Sequence, residues 1–331
     1  MKLMIERIVI IDSVDPQTFY GVNNANISLI RNLFPKLRMS ARGNVIKVIG
    51  EDSETAEFEK KIHEIEAHAA KYNKLTEEAI IDIVRGDPPK EVNAEGVIIY
   101  GQNGKPIAPR NANQSRMVRS FAENDLTFAL GPAGTGKTYI AIALAVNALK
   151  NKQCRKIILS RPAVEAGEKL GFLPGDMKDK IDPYLQPLYD ALEDMIPPQK
   201  LKEYMEAETI QIAPLAFMRG RTLNDAVIIL DEAQNTTRHQ MKMFLTRLGM
   251  NGKMIVTGDT TQIDLPRTVQ SGLLQALRIL KGIRGIGVIE YEKKDIVRHP
   301  LVQRIVDAYE HREKEDENSG DSGNAPAVAA Q

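Results

Sequence analysis

One eight-residue stretch limits the fold of this chain more than any other part of its sequence. The stretch matches the phosphate-binding pattern G-x-x-x-x-G-K-[ST] and consists of Gly131, Pro132, Ala133, Gly134, Thr135, Gly136, Lys137 and Thr138. An apolar run at 126–130 precedes it and an Ala/Ile/Leu-rich run at 139–149 follows it, which predicts a strand, a glycine-rich turn and a helix. The three glycines allow the backbone to curl until successive N–H groups face one anion.

The same stretch supplies two side chains for a bound nucleotide. A helix that begins near Lys137 points the positive end of its dipole at a phosphate group. We expect Lys137 to reach the β- and γ-phosphates and the Thr138 hydroxyl to bind Mg²⁺. An ordinary glycine-rich turn is the alternative, and the complete pattern between a strand and a helix argues against it.

Composition excludes several other classes of protein. The 331 residues include 44 basic and 44 acidic side chains, so the net charge is zero and any basic surface is local. Cys154 is the only cysteine, which excludes a disulfide framework, and we expect it to be a small buried side chain. No apolar run reaches membrane-spanning length, and charges interrupt the N-terminal apolar segment. We expect a cytoplasmic protein without membrane contact.

Periodicity and turn signals divide the chain into four parts. Residues 1–86 are predicted to form a small α/β domain, and residues 87–106 a linker with a β-hairpin. Residues 107–314 alternate apolar strand runs with helical stretches, which indicates a mostly parallel sheet covered on both faces. Residues 315–331 lack periodicity and are expected to be disordered.

Three helices have ends that the sequence marks. Apolar side chains recur at helical spacing through residues 23–34. We expect Ser53 to cap a second helix, which runs to Tyr72. A capping box at 237–240 is expected to begin a third helix, which ends at Gly249.

A strand predicted at 226–231 is an apolar run that leads into two acids, Asp231 and Glu232. We expect Asp231 to hold Mg²⁺, directly or through water, and Glu232 to polarise the attacking water as a general base. Acids at a strand end can also simply cap the next helix, but a complete phosphate-binding stretch earlier in the chain favours the catalytic interpretation. Because a P-loop kinase needs no base beside Asp231 whereas a hydrolase does, the pair favours ATP hydrolysis.

Two glutamines are further candidates for contact with the nucleotide. Gln262 lies in a turn after the apolar run at 253–257, where its amide can contact the γ-phosphate and couple hydrolysis to movement. Gln114 precedes the first strand of the predicted sheet, and its amide can donate and accept at the adenine edge. A polar turn and an ordinary glutamine near a helix start are the alternatives.

Two stretches contain basic residues and no acid. The first, at 16–50, carries Arg31, Lys36, Arg38, Arg42 and Lys47. The second, at 96–122, carries Lys105, Arg110, Arg116 and Arg119. A one-sided basic surface is suited to the backbone of a nucleic acid. For the first stretch, a solvated face paired with the acid-rich helix that follows is an equally good explanation.

The combined motifs resemble those of the PhoH-like family of P-loop ATPases and, more broadly, the nucleotide half of a superfamily 1 helicase. The family signatures correspond to residues 131–138, 161–168, 231–235 and 256–259, and the resemblance runs from about residue 107 to 309. This resemblance implies a RecA-like core, ATP binding, a cytoplasmic location and RNA as the usual proposed substrate.

Two looser resemblances also point to RNA. Residues 4–72 are similar to a KH-type RNA-binding unit, in which a Gly-x-x-Gly loop clamps the backbone. The matching turn at 21–24 lacks the second glycine. In helicase-like cores the loop after the second strand contacts the nucleic-acid backbone. Here that segment is 165–186, which contains several glycines and prolines, and the candidates are Lys169, Lys178 and Lys180. Ordinary loop composition explains this last feature equally well.

A superfamily 1 helicase has a second RecA-like domain that supplies an arginine to the γ-phosphate, and too few residues follow Gln262 for such a domain. We therefore expect a neighbouring subunit to supply the arginine in a head-to-tail ring, with a hexamer as the favoured size. Arg298 is the first candidate and Arg267 the second. A solvated surface arginine is the alternative at each position.

The sequence-based prediction is thus an ATP-hydrolysing P-loop protein that acts on or with RNA. One alternative is a nucleotide-gated interaction protein that hydrolyses ATP slowly, and another is a P-loop phosphotransferase. Stimulation of hydrolysis by RNA distinguishes the first two, and transfer of phosphate to an acceptor identifies the third.

Overall fold

The computed structural model describes residues 4–87, 96–162, 177–266 and 268–297, together with residues 301, 302, 304, 305 and 308. Its strands are β1 (Met4–Ile10), β2 (Arg38–Arg42), β3 (Val45–Glu51), β4 (Ile99–Tyr100), β5 (Pro106–Ile107), β6 (Leu126–Leu130), β7 (Lys156–Arg161), β8 (Ile210–Pro214), β9 (Ala226–Leu230), β10 (Lys253–Gly258) and β11 (Ile286–Glu290). Its α-helices are α1 (Pro16–Tyr20), α2 (Ala25–Leu33), α3 (Asp52–Tyr72), α4 (Glu77–Arg85), α5 (Ala112–Glu123), α6 (Lys137–Lys150), α7 (Met177–Met195), α8 (Pro198–Glu206), α9 (Arg238–Leu245) and α10 (Gly272–Ile279). The predicted tail at 315–331 lies outside the described residues.

Within the described ranges, no helix has the length and hydropathy that crossing a membrane requires.

The N-terminal unit packs its helices on one face of a three-stranded antiparallel sheet with strand order β1-β3-β2. Along β3, buried side chains such as Ile46 and Val48 alternate with exposed ones, so one face of the sheet is apolar. Phe19 and Phe58 are fully buried in the core of this unit. Its resemblance to a KH unit stays a prediction.

Two predicted helix starts in this unit are wrong, each for a local reason. The helix predicted at 23–34 begins only with α2, because Asn23 and Asn24 have left-handed φ angles of 54° and 62°. Ser53 does not cap α3, because β3 continues to Glu51 and the helix starts directly after it.

The predicted capping box of α9 is present, but the predicted end of this helix is wrong. The Thr237 hydroxyl accepts from Gln240 N, and the Gln240 side chain accepts from Thr237 N. The helix ends at Leu245 rather than at Gly249, because the Thr246 hydroxyl donates to carbonyl groups of the last turn.

The larger sheet is fully parallel, with strand order β11-β6-β10-β9-β7-β8. Every residue of β6 and β9 is buried, as expected of strands that are covered on both faces. Side chains of α5 to α8 pack on one face, and side chains of α9 and α10 pack on the other. The predicted RecA-like α/β core is confirmed. Because the strands are parallel, the residues that follow β6, β7, β9 and β10 meet at one edge of the sheet.

Hydrogen bonds join the N-terminal unit to the rest of the chain around Asn73, a buried residue at the end of α3. Its Nδ2 donates to Tyr100 O at 2.6 Å and to Met195 O at 3.1 Å, and its Oδ1 accepts from Lys150 Nζ at 3.1 Å. Lys150 ends α6, the helix that begins at Lys137. Burial lowers the pKa of the Lys150 ammonium to about 8.

We expect Lys150 to make the free energy of unfolding rise with pH between about 8 and its unfolded pKa of 10.5. In that window the unfolded chain binds a proton that the folded protein has released, which stabilises the fold by up to about 1.4 kcal/mol per pH unit. Below this window the folded protein bears the full cost of the buried charge. Lys150→Met removes the rise, whereas Lys152→Met, at an exposed neighbour, retains it.

Urea unfolding of both variants and the wild type from about pH 7.5 to about 10 measures this effect. Burial raises the pKa values of Cys154 and Tyr291, which act with the opposite sign at alkaline pH. The informative quantity is therefore the difference in the free energy of unfolding between the wild type and Lys150→Met at each pH. A difference that stays constant across the pH range contradicts the prediction.

Candidate nucleotide-binding site

The stretch at 131–138 forms a curled loop between β6 and α6, which we call the phosphate-binding loop. Gly131, Gly134 and Gly136 have φ angles of 137°, 81° and 78°, which glycine adopts without steric cost. Because α6 begins at Lys137, its free N–H groups and the positive end of its dipole face the loop. This is the predicted strand, turn and helix, and it forms a cradle for an anionic group.

The Lys137 ammonium lies within the phosphate-binding loop. Its Nζ donates to Gly131 O and Pro132 O at 2.7 Å each, and to Thr135 Oγ1 at 3.3 Å. Lys137 is 8% exposed, so its ammonium group lies inside the loop and has little contact with water. A phosphate group held by the loop N–H groups therefore has a positioned cation beside it.

Asp231 follows β9 and contacts the phosphate-binding loop through Thr138. The hydroxyl groups of Thr138 and Thr257 each donate to Asp231 Oδ1 at 2.6 Å, and Arg161 Nε lies 3.5 Å from Oδ2. A hydroxyl and a carboxylate fit the site that Mg²⁺ uses together with phosphate oxygens and water. Among the described residues, no group of three or more His, Cys, Asp or Glu side chains is arranged to hold a metal ion by itself.

Glu232 lies beside Asp231 and has a strained backbone. Its φ angle is 51°, in the left-handed region that non-glycine residues rarely adopt. Arg161 Nη2 donates to Glu232 Oε1 at 3.0 Å, and Gln234 Nε2 donates to Oε2 at 2.6 Å. The Glu232 side chain is 38% exposed, so water reaches a carboxylate that protein groups orient.

Gln234 is buried and links Glu232 to the turn after β10. Its Oε1 accepts from Asp259 N at 3.0 Å, and its Nε2 also donates to Gln262 O at 3.1 Å. Asp259 Oδ2 in turn accepts from Ala133 N at 3.1 Å. A continuous series of hydrogen bonds thus connects Glu232 with the phosphate-binding loop.

The two predicted glutamines have different positions. Gln262 contributes its carbonyl to this network, and its side chain is exposed. Gln114 is buried beside the phosphate-binding loop, where Nε2 donates to Thr135 O at 2.9 Å and Oε1 accepts from Arg110 N at 2.7 Å. The Gln114 amide holds the loop in this arrangement. Its contact with adenine and the contact of Gln262 with the γ-phosphate stay predictions.

Sequence reasoning assigned no individual role to several residues of this network, namely Arg161, Gln234, Thr257 and Asp259. All of them fall within the stretches 161–168, 231–235 and 256–259, which carry the family resemblance. That clustering is the signal that could have identified them.

Several predicted contact residues, or their side chains, lie outside the described residues: Lys169, Lys178, Lys180, Arg267 and Arg298. The described residues extend to Val297, directly before Arg298 in the sequence. Val297 N donates to Gly134 O at 2.9 Å. The backbone that leads to Arg298 is therefore fixed to the phosphate-binding loop of its own subunit.

The first basic stretch is partly paired with acids. Lys36 contacts Glu54 of α3 at 2.6 Å, and Lys47 contacts Glu6 of β1 at 3.0 Å. Its arginines are exposed and form no ion pair with another described residue: Arg31, Arg38 and Arg42. Exposed positions are also found throughout the second stretch, at Lys105, Arg110, Arg116 and Arg119. The paired, solvated face therefore accounts for Lys36 and Lys47, and nucleic-acid contact by the three arginines stays a prediction.

The sequence is similar to those of known proteins over the residues that form this site. A family model described as "PhoH-like protein" matches residues 106–310. The PhoH-like protein of Mycobacterium tuberculosis is 51% identical over 282 residues, which cover 83% of this chain and 80% of that protein. The PhoH-like protein of Bacillus subtilis is 50% identical over 279 residues, which cover 83% of this chain and 88% of that protein.

Among solved structures, the chain is similar to the Sulfolobus solfataricus SWI2/SNF2 ATPase core in complex with dsDNA. The TM-score is 0.35 and the identity 18%, over 56% of this chain and 45% of that chain. The residues that the family model matches include the phosphate-binding loop and the acid pair, Asp231 and Glu232. The family model and the two relatives show that this chain belongs to the PhoH-like family.

Proposed function

We propose that this protein binds ATP with Mg²⁺ and hydrolyses it, and that it acts on or with RNA in the cytoplasm. One observation carries the hydrolysis proposal: Lys137, Thr138, Asp231 and Glu232 meet at one sheet edge, where Thr138 Oγ1 lies 2.6 Å from Asp231 Oδ1. Phosphoanhydride hydrolysis requires a phosphate-binding cation, a metal site and a group that orients water. These four residues supply all three.

Each side chain has a role that its position supports. The loop N–H groups and Lys137 would bind the β- and γ-phosphates and stabilise the charge that develops on them. Mg²⁺, held by Thr138 and Asp231, would supply further charge stabilisation. Glu232 would orient the attacking water and accept its proton.

A nucleotide-gated interaction protein with slow hydrolysis is the second candidate. It is favoured by one observation, that both carboxylate oxygens of Glu232 already accept hydrogen bonds. Phosphate release measured with and without single-stranded RNA tests both candidates. RNA-stimulated turnover supports the first and slow, RNA-indifferent turnover the second, whereas transfer of label to an acceptor with little free phosphate contradicts both.

The RNA proposal rests on the arginines that have no acidic partner among the described residues. Arg38 and Arg42 are both exposed on β2, and their even spacing places them on the same face of the sheet. An exposed arginine without a carboxylate partner keeps its hydrogen-bond donors for phosphate groups. Arg31 of α2 is a third exposed arginine without an acidic partner among the described residues, and it lies on the side of the unit where the helices pack, opposite the face of β2 that carries Arg38 and Arg42.

We expect a double variant, Arg38→Ala with Arg42→Ala, to bind single-stranded RNA about tenfold more weakly. We expect the magnitude of the salt slope of log K to fall by about 1.4, because two phosphate contacts are lost and each contributes about 0.7 on a single strand. Filter binding over a range of salt concentrations measures both quantities. Arg278→Ala with Arg284→Ala removes the same charge from exposed positions elsewhere and serves as the control. Equal losses in the two double variants contradict a specific surface on β2.

A further inference from the structure

Arg161 makes contacts that link the acid pair to a helix. At the end of β7 its Nη2 donates to Glu232 Oε1 at 3.0 Å, and its Nε lies 3.5 Å from Asp231 Oδ2. Its Nη1 donates to Tyr184 O of α7 at 2.7 Å. The Arg161 side chain is 20% exposed, so three partners fix a planar guanidinium that has little contact with water.

We propose that Arg161 is a positioning residue that restrains Glu232, and that release of this ion pair controls hydrolysis. The inference rests on the proposed function, in which Glu232 is the general base. A base must direct an oxygen at water and give up an ion pair when it takes a proton. Here Arg161 holds Oε1 and Gln234 holds Oε2, so protein groups rather than water set the direction of both oxygens.

The backbone of Glu232 supports the same inference. Its φ angle of 51° is a strained conformation that persists only when surrounding contacts hold it. Arg161 and Gln234 supply such contacts. Loss of the Arg161 contact therefore gives Glu232 access to other orientations.

Two changes in the site weaken the ion pair between Arg161 and Glu232. A divalent ion at Asp231 competes with the guanidinium for the same carboxylate, because the two positive charges repel each other. A shift of α7 moves Tyr184 O, which holds the other side of the guanidinium. Arg161 therefore makes Glu232 sensitive both to the nucleotide and to the position of α7.

The first test compares ATP hydrolysis by wild type, Arg161→Met and Arg155→Met, with and without RNA. We expect Arg161→Met to hydrolyse ATP about tenfold faster without RNA, the equivalent of one charge-assisted hydrogen bond, with a smaller stimulation by RNA. The increase is expected in kcat rather than in KM. Arg155 is exposed and directly precedes the same strand, and Arg155→Met is expected to behave as wild type.

Arg161→Lys guards against an indirect effect on folding. Lysine keeps a positive charge beside Asp231, but a single ammonium cannot bridge Tyr184 O and Glu232 as the guanidinium does. We expect a smaller increase in kcat than in Arg161→Met. If both variants lose hydrolysis and still bind ATP, Arg161 assists catalysis and the restraint is overturned.

A second measurement does not depend on turnover. The chain has no tryptophan, so Tyr184→Trp adds a single tryptophan, which can be excited apart from the tyrosines, while the backbone carbonyl stays in place. We expect Mg²⁺–ATP to change its emission in an otherwise wild-type chain and to have little effect when Arg161→Met is added. An emission that is unchanged by bound nucleotide overturns the release step.

The same experiments separate failure of this inference from failure of the proposed function. Wild-type hydrolysis with no faster turnover in Arg161→Met overturns the restraint and leaves the hydrolase intact. If neither protein hydrolyses ATP, the proposed function fails. Turnover by Arg161→Met alone supports the restraint strongly.

Discussion

We expect Glu232→Gln to hydrolyse ATP about 10²- to 10⁴-fold more slowly than the wild type while it still binds ATP with Mg²⁺, because the variant loses general-base catalysis. Glutamine has nearly the shape of glutamate, and its Oε1 can still accept from Arg161. The amide oxygen cannot take a proton from water. Titration with a labelled nucleotide measures binding, and single-turnover phosphate release measures the chemical step.

Glu208→Gln is a matched control for this substitution. Glu208 is also an exposed glutamate with a left-handed φ angle, 53°, and it lies in the turn before β8, away from the phosphate-binding loop. We expect this variant to retain hydrolysis. Unchanged turnover in Glu232→Gln would remove Glu232 from the role of base, and a joint loss of binding and turnover would indicate a disturbed fold.

The parts of the site that depend on contiguous residues could be predicted from the sequence. The phosphate-binding loop has its full pattern within eight residues, and the strands on either side of the acid pair are continuous apolar runs. The strand predicted at 126–130 has the extent of β6, and the strand predicted at 226–231 differs from β9 by one residue, because β9 ends at Leu230. A local pattern with a complete signal specifies a local structure.

The contacts of Arg161 could not be predicted in this way. Arg161 and Glu232 are 71 positions apart, and they meet only because β7 and β9 are neighbours in the sheet. Periodicity shows that a residue ends a strand, but it does not give the order of the strands. Strand order therefore decides which side chains share the edge of the sheet.

Helix α7 was missed for a different reason. The glycines and prolines at 165–186 favour a loop, because proline normally breaks a helix. In the structure α7 runs through Pro183 and Pro187. Buried side chains such as Leu188 and Leu192 pack α7 against the core, and this tertiary packing outweighs the local cost of proline.

We expect Arg298→Ala to assemble like the wild type and to hydrolyse ATP about 10³- to 10⁵-fold more slowly, the usual effect of losing an arginine that stabilises the transferring phosphoryl group. We propose that Arg298 acts on the next subunit of a homo-oligomeric ring, with a hexamer as the expected size. Light scattering measures assembly, and phosphate release measures the rate. Wild-type turnover in an assembled Arg298→Ala protein would eliminate this arginine.

Mixing two inactive variants decides which subunit the arginine serves. Lys137→Ala lacks the lysine of the phosphate-binding loop, and Arg298→Ala has an intact loop, so a mixed ring contains interfaces at which an intact loop meets an intact Arg298. We expect mixing to restore hydrolysis. The alternative is action within one subunit, which the contact of Val297 N with Gly134 O at 2.9 Å makes a specific possibility. In that case both variants stay inactive in mixed assemblies, because no chain carries both residues, and the ring proposal fails while the role of Arg298 remains.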